Sequence, residues 1–116
     1  MTPTDELREQ LRELMDEVIP DGGAASDTRF ADDQLDRILI AARNLYAAAA
    51  EGWTRKAGML SRELGNIDEY AVGQERYRTR SLQTAISGAL AMAKQYSGMA
   101  RAAGSVVLKF KPPGVL

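Results

Sequence analysis

The sequence predicts an all-α fold, a small four-helix bundle-like protomer with an extended C-terminal arm. Three observations carry that prediction. Leu45, Ala49, Trp53, Ala57, Leu60 and Leu64 recur at steps of three or four, which is one face of a long helix. Two other stretches, around Leu7–Ile19 and Leu82–Ala100, carry apolar stripes of the same period. Apolar alternation of period two is seen only in short segments, 67–72 and 106–111. The 116 residues fit one domain. It divides into a helical part, 1–103, and an arm, 104–116, suited to docking on another molecule.

The first helix is expected over about residues 3–19. Thr2 is placed to cap it, Pro3 suits the first helical position, and Asp5 and Glu6 complement the positive helix end. Leu7, Leu11, Leu14, Met15, Val18 and Ile19 form its apolar stripe, and Arg8, Glu9, Arg12, Glu13 and Asp16 form its charged face. Pro20-Asp21-Gly22-Gly23 is the expected stop. After a polar loop, Phe30-Ala31-Asp32-Asp33-Gln34-Leu35 opens a second helix. With Ala31 as cap, Phe30 staples onto Leu35 and Gln34 takes the reciprocal capping position; Asp32 is the alternative cap. Leu35, Ile38, Leu39 and Ala42 face inward. Ile40 lies off that stripe, so this helix is expected to be covered on two sides.

A break near Arg43-Asn44 leads to the central helix, capped by Asn44 and stopped at Gly65-Asn66. Its Ala47–Ala50 run lets a second helix approach closely, and Trp53 supplies a large anchor. Residues 65–75 read as an extended loop or a short strand. Arg76, Arg78 and Arg80 then alternate around Tyr77, a basic run with an aromatic that invites a nucleic-acid reading but also fits the solvated first turn of the next helix. That last helix is expected from about Arg80 to Ala103, with Leu82, Ala85, Ile86, Ala89, Leu90, Ala93, Tyr96, Met99 and Ala100 on its apolar face and Gly104 as its stop.

In the arm, Val106, Leu108 and Phe110 alternate with Val107, Lys109 and Lys111, which is a strand pattern without a partner strand in the chain. Pro112-Pro113 prevents further ladder pairing. An apolar strand of this kind is an aggregation hazard unless another chain completes it, so residues Val106–Pro113 are expected to add to a sheet or groove on a partner.

Charge is segregated along the chain. Residues 1–40 carry eleven Asp/Glu against four Arg, a net −7; residues 41–74 carry four of each sign; residues 75–116 carry one Glu against seven Lys/Arg, a net +6. An acidic front and a basic back attract each other between copies. The core is rich in Ala, with two Phe and one Trp, which also points to stability gained through association. The chain has no Cys and no His, which removes Cys nucleophiles, His bases and zinc sites of Cys/His type. Asp32 with Asp33, and Asp68 with Glu69, are sequence neighbours with no supporting set and read as caps and solvated loop. No catalysis, cofactor or metal is expected. Thr-Pro-Thr-Asp-Glu after Met1 is unlike a signal peptide, and no apolar run approaches the ~20 residues that span a bilayer. Synthesis in a cytoplasm and no membrane partner are expected.

The order of these pieces carries a family likeness. The N-terminal helix, Phe30-Ala-Asp-Asp-Gln-Leu35, Asn44-Leu-Tyr-Ala-Ala-Ala-Ala50 with Trp53 and Lys56-Ala57, and a final helix bearing Ala89-Leu-Ala-Met-Ala-Lys-Gln-Tyr96 resemble the head-to-tail connector adaptors, or head completion proteins, of tailed bacteriophages. The likeness covers roughly residues 30–97. It implies a helical protomer assembling into a ring, usually of twelve copies, beneath the portal protein. Such a ring continues the DNA channel, passes genomic DNA without sequence specificity and offers a docking surface to a tail-side connector or stopper protein in the virion. The arm would then attach to the portal. Arg76, Arg78 and Arg80 would meet an acidic neighbouring copy or line the channel.

The competing expectation is a small DNA-binding protein of helix-turn-helix type, built on the second helix, the break and the central helix. The front of that would-be recognition helix, Leu45-Tyr46 followed by four alanines, lacks base-reading side chains, and the net charge of −1 counts against it.

Overall fold

A computed structural model of the chain describes residues 1–67 and 74–110, with side chains for 1–67 and 76–103. Among these residues every regular element is helical: α1 (Asp5–Leu14), a 3₁₀ turn (Ala25–Asp27), α2 (Asp32–Ala41), α3 (Leu45–Gly65) and α4 (Gln74–Phe110). The all-α expectation holds, and α3 is the helix on which the other three pack.

Helix α1 is shorter than its apolar stripe suggests. Thr4, not Thr2, is the cap: its hydroxyl accepts from the Leu7 amide at 3.1 Å. That puts Asp5 and Glu6 in the first turn, next to the free amides. At the other end Asp16 adopts a positive φ of 57°. The Asp16 amide then donates to Glu13 O at 3.3 Å and the Glu17 amide to Arg12 O at 2.9 Å, the paired bonds of a left-handed helix stop. Val18 and Ile19 therefore leave the stripe, and Val18 is exposed. The Pro20–Gly23 segment is a separate turn, closed by Gly23 N to Pro20 O at 2.8 Å, with Gly22 at φ 74°.

Helix α2 starts as its sequence indicates. The Ala31 amide donates to Gln34 Oε1 at 2.7 Å, and Phe30 and Leu35, the staple pair, are both fully buried in one cluster with Leu11, Met15, Ile38 and Leu39. The Met1 nitrogen donates to Leu39 O and Ala42 O at 2.9 and 3.0 Å, closing the C-terminal end of α2. Ile40 is not covered on a second side. It is 63% exposed, because α1 and α3 both lie against the Leu35–Ile38–Leu39 face.

The break at Ala42–Asn44 and the Asn44 cap are as expected, with Asn44 Oδ1 accepting from the Ala47 amide at 2.8 Å. So is the stop at Gly65-Asn66. Ala48, Ala49 and Gly52 bring α3 hard against α1. A Cβ on Gly52 would come within 2.6 Å of Met15 Cε, so any larger residue there displaces the buried Met15 side chain. Trp53 is half-buried, with its Nε1 donating to Leu14 O at 2.9 Å.

Helix α4 spans 37 residues, roughly 55 Å at 1.5 Å per residue, and sets the 66 Å long axis of the molecule. It starts before Arg80 because nothing between Gln74 and Ser87 breaks a helix. Leu82, Ile86, Ala89, Ala93, Tyr96 and Ala100, spaced by alternating fours and threes, face α3. The face is narrower than the sequence stripe: Ala85, Leu90 and Met99 are exposed. Tyr46 and Tyr96 stack across the two helices, centroids 6.2 Å apart.

Neither Gly104 nor the alternation that follows it ends α4. The strand expected over 106–110 is instead the last turns of the helix, which runs to Phe110. A lone strand leaves its ladder groups unpaired, whereas a helix already propagating satisfies its own, and no proline intervenes before Pro112. Asn44 Nδ2 meets Ala100 O at 3.4 Å, so α4 continues past the start of α3. Residues 111–116 of the arm, including Lys111, Pro112 and Pro113, lie outside the described residues.

Candidate functional site

The basic residues singled out by alternation do not share one face of their helix. Arg76, Tyr77, Arg78 and Arg80 are all exposed on the first turns of α4. Arg76 and Arg80 are one turn apart on one side, and Arg78, about 200° from Arg76, lies on another. A shallow hollow of about 410 Å³ borders Tyr77 and Arg80. Val106, Val107, Leu108, Lys109 and Phe110 lie on the final turns of α4. The acidic pairs have local roles: Asp32 takes Arg12 at 2.9 Å and Asp33 takes Arg37 at 3.1 Å, while Asp68 and Glu69 lie outside the described residues. Among the described residues, no group of three or more Asp, Glu, His or Cys is placed to hold a metal ion, and no helix is long and apolar enough to cross a membrane.

A buried polar cluster escaped the sequence reading. Arg12, assigned by periodicity to the charged face of α1, is 4% exposed. Its guanidinium donates to Glu17 O (3.1 Å), Thr28 Oγ1 (2.9 Å), Phe30 O (2.9 Å) and Asp32 Oδ1 (2.9 Å). Glu17, also buried, accepts from the Arg29 amide at 2.8 Å and pairs with Lys56 Nζ at 2.6 Å. Lys56 donates further to Met15 O at 3.0 Å and lies 4.5 Å from the Trp53 ring centroid. A lysine and an indole N–H from α3 thus satisfy carbonyls at the C-terminus of α1. No buried side-chain polar atom in the described residues lacks a partner. Every member is consumed internally, so this cluster holds the loop 17–31 in place and offers no reactive group. Nearby, Arg8 bridges Asp36 (2.8 Å) and Asp5 (2.9 Å); the hydrogen bond to Asp36 leads the causes holding its pKa above the ordinary value.

Away from the start of α4, two surfaces among the described residues carry unpaired charge beside a hollow. One is a groove of about 520 Å³ between α3 and α4. Ala47, Ala50, Thr54, Ala93, Ser97 and Ala100 line it with small side chains, and Arg43, Lys94 and Arg101 border it. Those three cations have no counter-charge among the described residues. Glu51, at the same groove, is held by Arg55 at 2.8 Å. A second hollow of about 480 Å³ continues it past Arg43 and Ala47 to Ile38. Leu90, 52% exposed, lies one turn before Lys94 on the same flank of α4.

The other surface is the outer face of α1. Glu6, Glu9 and Glu13, at steps of three and four, are exposed and unpaired among the described residues. Val18, 58% exposed, borders a hollow of about 300 Å³ with Glu9 and Glu13. Glu6, Glu9 and Glu13 of the acidic half and Lys94 and Arg101 of the basic half thus lie on two separate faces, while Arg76, Arg78 and Arg80 stand apart at the start of α4. No family model, curated protein or solved structure matches this chain.

Proposed function

We propose that the protein is a structural adaptor of the bacteriophage head–tail connector, a non-enzymatic virion protein. Its copies form a ring beneath the portal, continue the DNA channel and present a docking surface to a tail-side connector or stopper protein. The observation that carries the reading is the separation of unpaired charge, three carboxylates on α1 against three cations around the α3–α4 groove. A closed ring requires one patch to meet a different patch. Exposed Val18, Ile40 and Leu90 add apolar area that a lone protomer leaves in water. The motif order described above supplies the connector context. In this reading the C-terminal segment contacts the portal through residues 106–113, and DNA passes without sequence-specific contact.

The helix-turn-helix alternative finds less support. Leu45, Ala48 and Ala49 at the front of α3 pack into the core, and Tyr46 is stacked on Tyr96, so this end is not free to enter a major groove. Native mass measurement of the purified protein, alone and with its portal, is the test. A multi-copy ring that binds the portal is expected. A chain that stays monomeric with the portal present, or that shifts one DNA sequence selectively at low salt, overturns the adaptor reading.

A further inference from the structure

The groove between α3 and α4 needs an occupant that is slender, acidic and bordered by an apolar side chain. The small residues on its floor leave room for a helix rather than a loop of large side chains. Its cations repeat at a helical interval: Lys94 and Arg101 are seven residues apart on α4, roughly 10.5 Å. The outer face of α1 has the same interval in the opposite charge, with Glu6 and Glu13 seven residues apart and Glu9 between them. Each row also ends in an exposed apolar residue, Leu90 beyond Lys94 and Val18 beyond Glu13.

These matches fix a direction as well as a partner. We propose that the α3–α4 groove of one copy takes the acidic face of α1 from the next copy, the two helices antiparallel. Glu13 meets Lys94, Glu6 meets Arg101, Glu9 is left for Arg43, and Val18 covers Leu90. The proposal deepens the adaptor reading and rests on it only in that copies must associate.

The contact cannot form within one chain. Helix α3 turns Gly52, Trp53 and Lys56 toward α1, whereas Ala47, Ala50 and Thr54, which line the groove, lie on the other side of the helix. For the same reason two copies cannot satisfy both patches at once around a two-fold axis. Each copy donates α1 to one neighbour and receives α1 from another, which generates a closed ring or an open series.

Two double variants test it. Glu6→Lys with Glu13→Lys spoils the donated face; Lys94→Glu with Arg101→Glu spoils the groove. All four residues are exposed and unpaired among the described residues, so circular dichroism of both variants should match the original chain. Melting at a concentration where every chain is monomeric should differ only by the small cost of a cation at the start of α1 in Glu6→Lys. Self-association, read by sedimentation and native mass at low salt, should weaken about 100-fold or more in each, because like charges then face each other. Mixed together, the acidic α1 of the groove variant fits the intact groove of the α1 variant, and the basic α1 of the latter fits the reversed groove of the former, so the mixture should regain multi-copy assembly with the two chains alternating. The quadruple variant, with both faces reversed, should regain multi-copy assembly.

Assembly that survives in both double variants overturns this interface and leaves the adaptor reading standing. An original chain that stays monomeric at about 100 µM and low salt overturns the interface, and portal binding then judges the adaptor reading separately. Binding of a mixed-sequence DNA duplex that is lost in Lys94→Glu with Arg101→Glu, while the mass of the assembly is unchanged, reassigns the groove to phosphate and also overturns the proposal.

Discussion

Between α1, the 17–31 loop and α3 charge is buried and tied, while on the outer face of α1 and along the flank of α4 it is exposed and untied. Arg12, Glu17 and Lys56 lie in the interior with partners on every side, and the core beside them contains Phe30, Leu11, Leu35, Ile38 and Leu39. The α3–α4 hairpin away from that block is held by Ala57, Leu60 and Ala89 with Trp53, Leu82 and Ile86 at their edge, and Arg43, Lys94 and Arg101 stand beside it unpaired. An interior whose polar groups are all satisfied has little left to offer a partner, so what α1 offers is confined to Glu6, Glu9 and Glu13 on its outer face. A region with a thin alanine seam, free cations and an exposed leucine has both the need for cover and the means to choose it. The two regions share α3, so the finished block holds the unfinished one in a defined orientation.

Removing Arg12 should have the largest effect. Arg12→Met keeps the stem but strips its donors from Glu17 O, Thr28, Phe30 O and Asp32, which leaves Glu17 O buried without a partner and Phe30 O with only the Thr28 hydroxyl at 2.8 Å. A loss of ~3–5 kcal/mol in urea unfolding is expected. A loss below ~1 kcal/mol would mean that water reaches those carbonyls and that the block is less finished than described.

A single substitution type should change sign between the two regions. Gly52→Ala brings a methyl against Met15 inside the block, where overpacking of ~1–3 kcal/mol outweighs the ~1 kcal/mol gained in helix propensity, for a net cost of up to ~2 kcal/mol. Gly88→Ala lies on the exposed side of α4, with nothing within 4 Å of the added Cβ, and should stabilise by ~0.5–1 kcal/mol. Thermal melts of the two variants side by side give the comparison, and equal signs would break it.

What the sequence disclosed and what it withheld follow the same division. Local chemistry was legible: Asn44 as cap, Gln34 reaching back to Ala31, Phe30 stapled to Leu35, and the α3 stripe from Leu45 to Leu64 all depend on neighbours within a few residues. Arg12 was not legible, because its partners are mainly loop carbonyls, which any residue type supplies. Ile40 was read as covered because an apolar side chain off the stripe implies a second contact; the protomer alone does not contain one. Residues 106–110 carry a two-residue alternation over too short a run to compete with a helix arriving from Gln74. The net charges of the two halves foretold that opposite patches exist. Only the fold shows that Glu6, Glu9 and Glu13 face away from the core and that Lys94 and Arg101 border a groove with Arg43, with the arginines at 76, 78 and 80 standing apart from it.

The stop of α1 offers a smaller test inside the finished block. Asp16 pays the cost of a left-handed backbone at φ 57° and puts a negative charge near the negative end of α1. Asp16→Gly removes both burdens and should raise stability by ~0.5–1 kcal/mol. A decrease would show that the Asp16 side chain holds the turn in a way that its geometry does not reveal.

The smallest effect expected belongs to Arg37, and it sharpens the contrast with Arg12. Both are arginines hydrogen-bonded to an aspartate at the start of α2, Arg12 to Asp32 at 2.9 Å and Arg37 to Asp33 at 3.1 Å. Arg37 and Asp33 are both exposed, one helical turn apart, and water competes for every bond they make. Arg37→Ala should therefore change stability by less than ~0.5 kcal/mol, with the difference fading further as salt is raised. If urea titration gave the two arginines similar costs, the distance to the carboxylate would be the quantity that matters; a difference of several-fold places the weight on the buried carbonyls that only Arg12 reaches.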